Sequence, residues 1–200
     1  MTFSNKVSWT LDPQKCALLI HDMQPHYLRA LPPGHAQQTV QAVRTVAHAC
    51  KQSGIPIFVS HVPPARNSKE RGLMLDMWGA GPTPGQHAPD PAIGLPDEDI
   101  HPLAKRSYSA FFASGLEIML RRLGLDTLVI AGIYTSIGCY LSAADAFARD
   151  IRAFLVADAT DDMSTADHEA GLALAARTCA CIIQSSGLLD AISQQTRPQR

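Results

Sequence analysis

Short apolar runs rich in β-branched residues alternate along the chain with longer stretches of helical period. CALLIHD (16–22), GIPIFVSHV (54–62), DTLVIAG (126–132), IRAFLVAD (151–158) and CACIIQ (179–184) read as buried strands. A weaker sixth strand is predicted near 99–103. Between them lie helices. AQQTVQAVRTVAHACKQSG (36–54) places Val40, Val43, Val46 and Ala47 on one face and stops at Gly54, and SGLEIMLRRLG (114–124) closes at Gly124. SAADAFARD (142–150) and TADHEAGLALAART (165–178) supply two more, the latter with Ser164 or Thr165 as N-cap. Strand and helix repeated in this way predict an α/β fold of three layers, α/β/α, around a mostly parallel, six-stranded, Rossmann-like sheet with right-handed crossovers.

Residues 82–102 carry six prolines and interrupt the pattern, so they read as a long irregular loop, and the polar QQTRPQR (194–200) reads as a frayed end. A chain of 200 residues fits one domain spanning 1–200. With 46% hydrophobic and 18% charged residues and a net charge of -1, it has no electrostatic footprint for nucleic acid or for a membrane surface. The N-terminal MTFSNKVSWTLDP has neither a cationic start nor an apolar run, from which a cytoplasmic location is expected. Cys16, Cys50, Cys139, Cys179 and Cys181 lack metal-type spacing and lie largely in apolar runs, so neither a disulfide framework nor a metal site is expected.

Open parallel sheets bind ligands beyond the carboxyl ends of their strands. The residues at which each apolar run turns polar are His21 and Asp22, His61, Lys105, Tyr134 to Gly138, and Asp158. An acid, a cation and a Gly-containing turn are thus expected to converge. A carboxyl group at the end of a fully apolar strand is desolvated, which raises its pKa and suits Asp22 to donate a proton near neutral pH. Asp158, Asp161 and Asp162 read as loop and cap residues.

The segments LLIHDMQPHYL (18–28), RGLMLDMWGAG (71–81), KRSYSAFF (105–112) and GIYTSIGCYLSAADAFARDIRAFLVADATDDMS (132–164) resemble the isochorismatase-like hydrolases, and the likeness runs over residues 9–183. That family divides at one position. Its amidase members carry a nucleophilic cysteine, assisted by an Asp and a Lys, where this sequence has Gly138. Cys139 follows, but one residue on a helix is a rotation of about 100°, which aims its thiol elsewhere. The GIYTSIGC pattern instead resembles the isochorismatase and phenazine-pathway subgroup, which cleaves a vinyl ether without a covalent intermediate.

By that resemblance Asp22 is the general acid and Lys105 its charged neighbour in the catalytic pair, with no metal or organic cofactor. Arg71 and Lys105 are cations suited to the carboxylates of a small dicarboxylate substrate, Arg71 bidentately. Trp78, Tyr108 and Tyr134 fall where the subgroup lines its pocket, and Ile137 and Gly138 resemble a pair joined by a cis peptide. The chain departs from the pattern at His61, where relatives carry Gln, at Ser107, at Ser136 and at the pair His26 and Tyr27. His61 still offers a hydrogen bond to substrate. The alternatives are a cysteine-dependent amidase using Cys139 and a non-catalytic binding member of the family. A homodimer is the expected assembly.

Overall fold

The computed structural model describes residues 4–195. Six strands, β1 (Cys16–His21), β2 (Ile57–His61), β3 (His101–Ala104), β4 (Thr127–Ile133), β5 (Arg152–Asp161) and β6 (Ala180–Ile183), form one sheet. Their order is β3-β2-β1-β4-β5-β6 and every pairing is parallel. The helices are α1 (Pro25–Leu28), α2 (His35–Gln52), α3 (Ser68–Arg71), α4 (Met74–Trp78), α5 (Leu116–Arg122), α6 (Tyr140–Phe147), α7 (Thr165–Thr178) and α8 (Ser185–Gln195).

Alternation within β1 sets the layers. Leu18 and Ile20 pack with Val43, Val46 and Ala47 of α2 and with Leu188 and Ile192 of α8. Ala17 and Leu19 face the other way, against Leu116 and Leu120 of α5, Ala143 and Ala146 of α6, and Leu172 and Ala175 of α7. A parallel strand covered on both faces must be apolar at every position, which is why β1 and β4 read as unbroken hydrophobic runs.

All six strands lie where the pattern predicts, and α7 begins at Thr165 behind an N-cap Ser164 whose hydroxyl accepts from the Asp167 N–H. Past the end of α2, Gly54 is left-handed at φ 71°, the usual conformation of a helix-stopping glycine. Four elements go beyond the pattern: α1, α3 and α4, each five residues or fewer, and α8. The first turn of α8 depends on a distant residue, because Asp158 accepts hydrogen bonds from the N–H and hydroxyl of Ser185. Asp158 therefore lies within β5, which continues to Asp161, instead of marking its end. The proline-rich stretch is largely irregular but holds two 3-10 turns, Pro91–Ile93 and Asp97–Asp99. Residues 196–200 of the end expected to fray lie outside the described residues.

The chain runs outward from β1 through β2 to β3 and then crosses to β4 on the opposite side of β1. The carboxyl ends of β1 and β4 are therefore adjacent but belong to crossovers diverging in opposite directions, which opens a crevice between them. The two strands meet closely there. Gly132 has φ 112°, and a Cβ at that position would collide with the backbone of His21, so glycine is needed on both counts.

Candidate active site

A cavity of about 260 Å³ opens at this crevice. Its floor comes from His21 and Asp22 after β1, Lys105 after β3, and Ile133 and Tyr134 at the end of β4. Asp22 has φ 48°, a left-handed conformation that Asp tolerates better than most residues and that turns the chain sharply off the strand. Its carboxylate is then caught from two sides. The Ser60 hydroxyl donates to Oδ1 at 2.7 Å and accepts from the Asp22 N–H at 3.1 Å. The Lys105 ammonium donates to Oδ2 at 2.6 Å and to the Ser107 carbonyl at 2.8 Å. Lys105 is almost wholly enclosed, with 1% of its side chain exposed.

The charge state of Asp22 departs from the expectation raised by the sequence. Burial alone pushes the carboxyl up, but His21, the Lys105 ammonium and the hydrogen bonds from Lys105 and Ser60 outweigh it and hold the group below the usual carboxylate range. Desolvation and the neighbouring His21 were legible in the apolar strand, whereas Ser60 and Lys105 come from other parts of the sheet.

The walls are mainly apolar and aromatic. Trp78 Nε1 donates to Tyr108 Oη at 2.8 Å, which joins α4 to the loop after β3. Tyr134 Oη donates to the Tyr27 carbonyl at 2.7 Å, and the two rings meet edge to face at 6.2 Å. Burial pushes the Tyr27 phenol up to about 12, so it is a donor at neutral pH. Arg71, Met74 and Trp78 close the cavity from the segment between β2 and β3. Arg71 is buried, its Nε bonded to the Gly79 carbonyl at 2.9 Å. Arg106 helps to hold that segment through an ion pair with Glu70 at 3.0 Å. Gln24 fixes the strand ends with its amide, which accepts from Val62 N–H and donates to the carbonyls of Val62 and His87.

Asp22, Lys105, Arg71, Trp78, Tyr108, Tyr134, Ile137 and Gly138 all line the cavity. His61 is not among the lining residues. It is half-buried on β2, its ring 6.5 Å from that of His87, and burial lowers its pKa against the pull of Asp22. The sequence also left unassigned several residues that line the cavity, including His26, Tyr27, Met74 and Met163, and it passed over Ser60. Ser60 carried a usable signal, since it is a polar residue in an apolar strand one place before the predicted polar edge.

One geometric expectation at the turn after β4 is corrected. The cis peptide bond joins Ile133 to Tyr134, not Ile137 to Gly138. Residues Thr135–Cys139 form a single π-helical turn, so Ile137 and Gly138 have continuous helical backbone. That turn is anchored by Asp162, wholly buried, whose Oδ2 accepts from the Ser136 N–H at 2.7 Å. Cys139 points into the hydrophobic core among residues such as Leu128 and Ala143, outside the cavity lining. Burial, with Asp22 and Asp162 nearby, holds its thiol well above the ordinary cysteine range.

Among the described residues no group of three or more His, Cys, Asp or Glu side chains is disposed to hold a metal ion. No helix among them is long and apolar enough to cross a membrane.

Comparison with known proteins places this geometry. The isochorismatase domain family matches residues 16–186. The chain is 40% identical over 93% of its length to the isochorismatase of Bacillus subtilis and 38% identical over 94% to enterobactin synthase component B of Escherichia coli, and it spans 61% and 67% of those proteins. It is 36% identical to a phenazine biosynthesis protein of Pseudomonas aeruginosa over 94% of this chain and 91% of that one. Among solved structures, a cysteine hydrolase from Pseudomonas syringae superposes with a TM-score of 0.83 at 20% identity, covering 94% of this chain and 97% of the other, a likeness of fold.

Proposed function

The chain belongs to the isochorismatase family of hydrolases, and from that premise we propose that it cleaves the vinyl ether of isochorismate or of 2-amino-2-deoxyisochorismate. The products are pyruvate and a dihydroxylated or amino-hydroxylated cyclohexadiene acid. The observation that carries the reading is the enclosed Asp22–Lys105 pair at 2.6 Å, set in an apolar cavity beside a position, Gly138, that has no side chain to act as nucleophile.

The chemistry needs one proton delivered to carbon. Protonation of the terminal methylene of the enol ether gives an oxocarbenium ion, water adds to it, and the hemiketal collapses to pyruvate and the ring alcohol. Asp22 is the donor. In the free protein its carboxylate is stabilised by Lys105, so the proton must be taken up as substrate enters. A dicarboxylate beside Asp22 supplies the reason: its negative charge disfavours a second anion there and competes for the Lys105 ammonium, both of which raise the Asp22 pKa. Arg71 and Lys105 balance the substrate's charge, with Arg71 able to grip a carboxylate by its guanidinium edge. The aromatic walls of Trp78, Tyr108 and Tyr134 accept a flat ring and limit water to the molecule consumed.

The likeness of this chain to enterobactin synthase component B and to a phenazine biosynthesis protein supports a place in secondary metabolism. The test is release of pyruvate by purified protein from isochorismate and its amino analogue, assayed side by side with nicotinamide as an amide control. Hydrolysis of the amide alone would overturn the proposal.

A further inference from the structure

His21 closes β1 and lies 1% exposed in the cavity floor. Its ring touches four parts of the site at once. Nδ1 is 2.8 Å from the Ile133 carbonyl at the end of β4, and Nε2 is 3.1 Å from the Tyr108 carbonyl in the loop after β3. Nδ1 also lies 3.6 Å from Asp22 Oδ2. The fourth neighbour is Gly138. A Cβ built there would sit 2.8 Å from Nε2 and 2.9 Å from Nδ1, and nearer still to Cε1, where real contacts stay beyond 3.0 Å. All three of its nearest atoms belong to this one ring, and the backbone of Gly138 is not left-handed. The space above Gly138 is filled by the imidazole. Glycine is required at 138 by a side chain, not by its own dihedrals.

We propose that His21 is the positioning residue of this site: its imidazole holds Asp22, the Tyr108 loop and the Gly138 turn in register, and by occupying the space over Gly138 it closes that position to any side chain. Enclosed on all sides, with the one N–H of its neutral ring donated to the Ile133 or the Tyr108 carbonyl, the imidazole has no room to swing aside for a larger residue. The turn consequently presents backbone, not a side-chain nucleophile, toward the reacting groups. The effect on Asp22 chemistry rests on the vinyl-ether reading above, whereas the steric coupling to Gly138 stands apart from it.

A double-mutant cycle on thermal unfolding tests the coupling without any assay of activity. Gly138→Ala should lower Tm by roughly 5 °C in the wild-type background, the scale of an overpacked core position. Introduced into His21→Ala it should shift Tm by less than about 2 °C relative to that parent. If Gly138→Ala alone yields no folded protein, recovery of folded protein by the added His21→Ala supports the coupling equally. The same penalty in both backgrounds overturns it.

His21→Asn, smaller but still a hydrogen-bond donor, tests the positioning role. We expect kcat for pyruvate release to fall at least about tenfold with KM within about threefold, since the carboxylate anchors Arg71 and Lys105 are untouched and acid placement is not. An unchanged kcat, or a loss confined to KM, overturns that role. If the wild-type protein releases no pyruvate, the functional reading and the positioning role fall together, and the stability cycle still decides the steric claim.

Discussion

The Lys105 ammonium lies 2.6 Å from Asp22 Oδ2, and the two residues stand 83 positions apart in the chain. Each reaches the other from the carboxyl end of a different strand, with β2 between them in the sheet. Asp22→Asn keeps an acceptor for Ser60 or Lys105, and Lys105 keeps the Ser107 carbonyl, so the variant is expected to fold. Its kcat for pyruvate release should drop by at least about a hundredfold, the low end for loss of a general acid. A variant retaining most of its turnover would remove Asp22 from that role.

The depressed pKa of Asp22 has a consequence for acid stability. Its ordinary value is 3.8, and the folded value lies lower. The ionised, paired form therefore stabilises the fold fully above the unfolded pKa, and that contribution is lost as pH falls from about 4 through the folded pKa. Thermal unfolding of wild type and Asp22→Asn between pH 7 and pH 2 should show a gap in Tm that narrows at the acid end. A gap independent of pH would show that Asp22 gains nothing from ionisation in the folded protein.

Removal of the two cations should have different effects. Arg71→Ala is expected mainly to raise KM, because a carboxylate anchor holds substrate and transition state alike. Lys105→Ala should lower kcat too, and should cost about 3–5 kcal/mol of stability by leaving a buried carboxylate without its counterion. Steady-state kinetics with urea unfolding separates the cases, and an unchanged KM in the Arg71 variant would show that its guanidinium does not hold substrate.

Cys139→Ala should retain pyruvate release within a few-fold, since the thiol is enclosed in the core and protonated. Iodoacetamide should likewise leave the folded enzyme active. Loss of activity in a Cys139→Ala protein that still unfolds cooperatively would point to a covalent mechanism.

The sheet and its major helices were legible because periodicity reports burial. A strand covered on both faces has to be apolar throughout, and the β1 and β4 runs announce that directly, as Val40, Val43, Val46 and Ala47 announce the inner face of α2. The position of the site was legible for a related reason, since the place where such a run turns polar is where the sheet ends. Asp22, Lys105 and Tyr134, which line the cavity, were picked out in that way. Short helices such as α3 and α4 span too few residues to show a period, and α8 takes its cap from Asp158 in another element.

What the sequence determined by itself was the layered α/β architecture and the set of polar residues gathered at one edge of the sheet, because both follow from local alternation of water-seeking and water-avoiding side chains. The tertiary structure alone decided the electrical state of Asp22 and the meaning of Gly138. Burial and the adjacent His21 are written into one strand, but the hydrogen-bond partners that help to reverse the effect of burial on Asp22, Ser60 from β2 and Lys105 after β3, arrive through space. Gly138 is confined by the ring of His21, which lies 117 residues earlier and reaches it only because β1 and β4 are neighbours in the sheet.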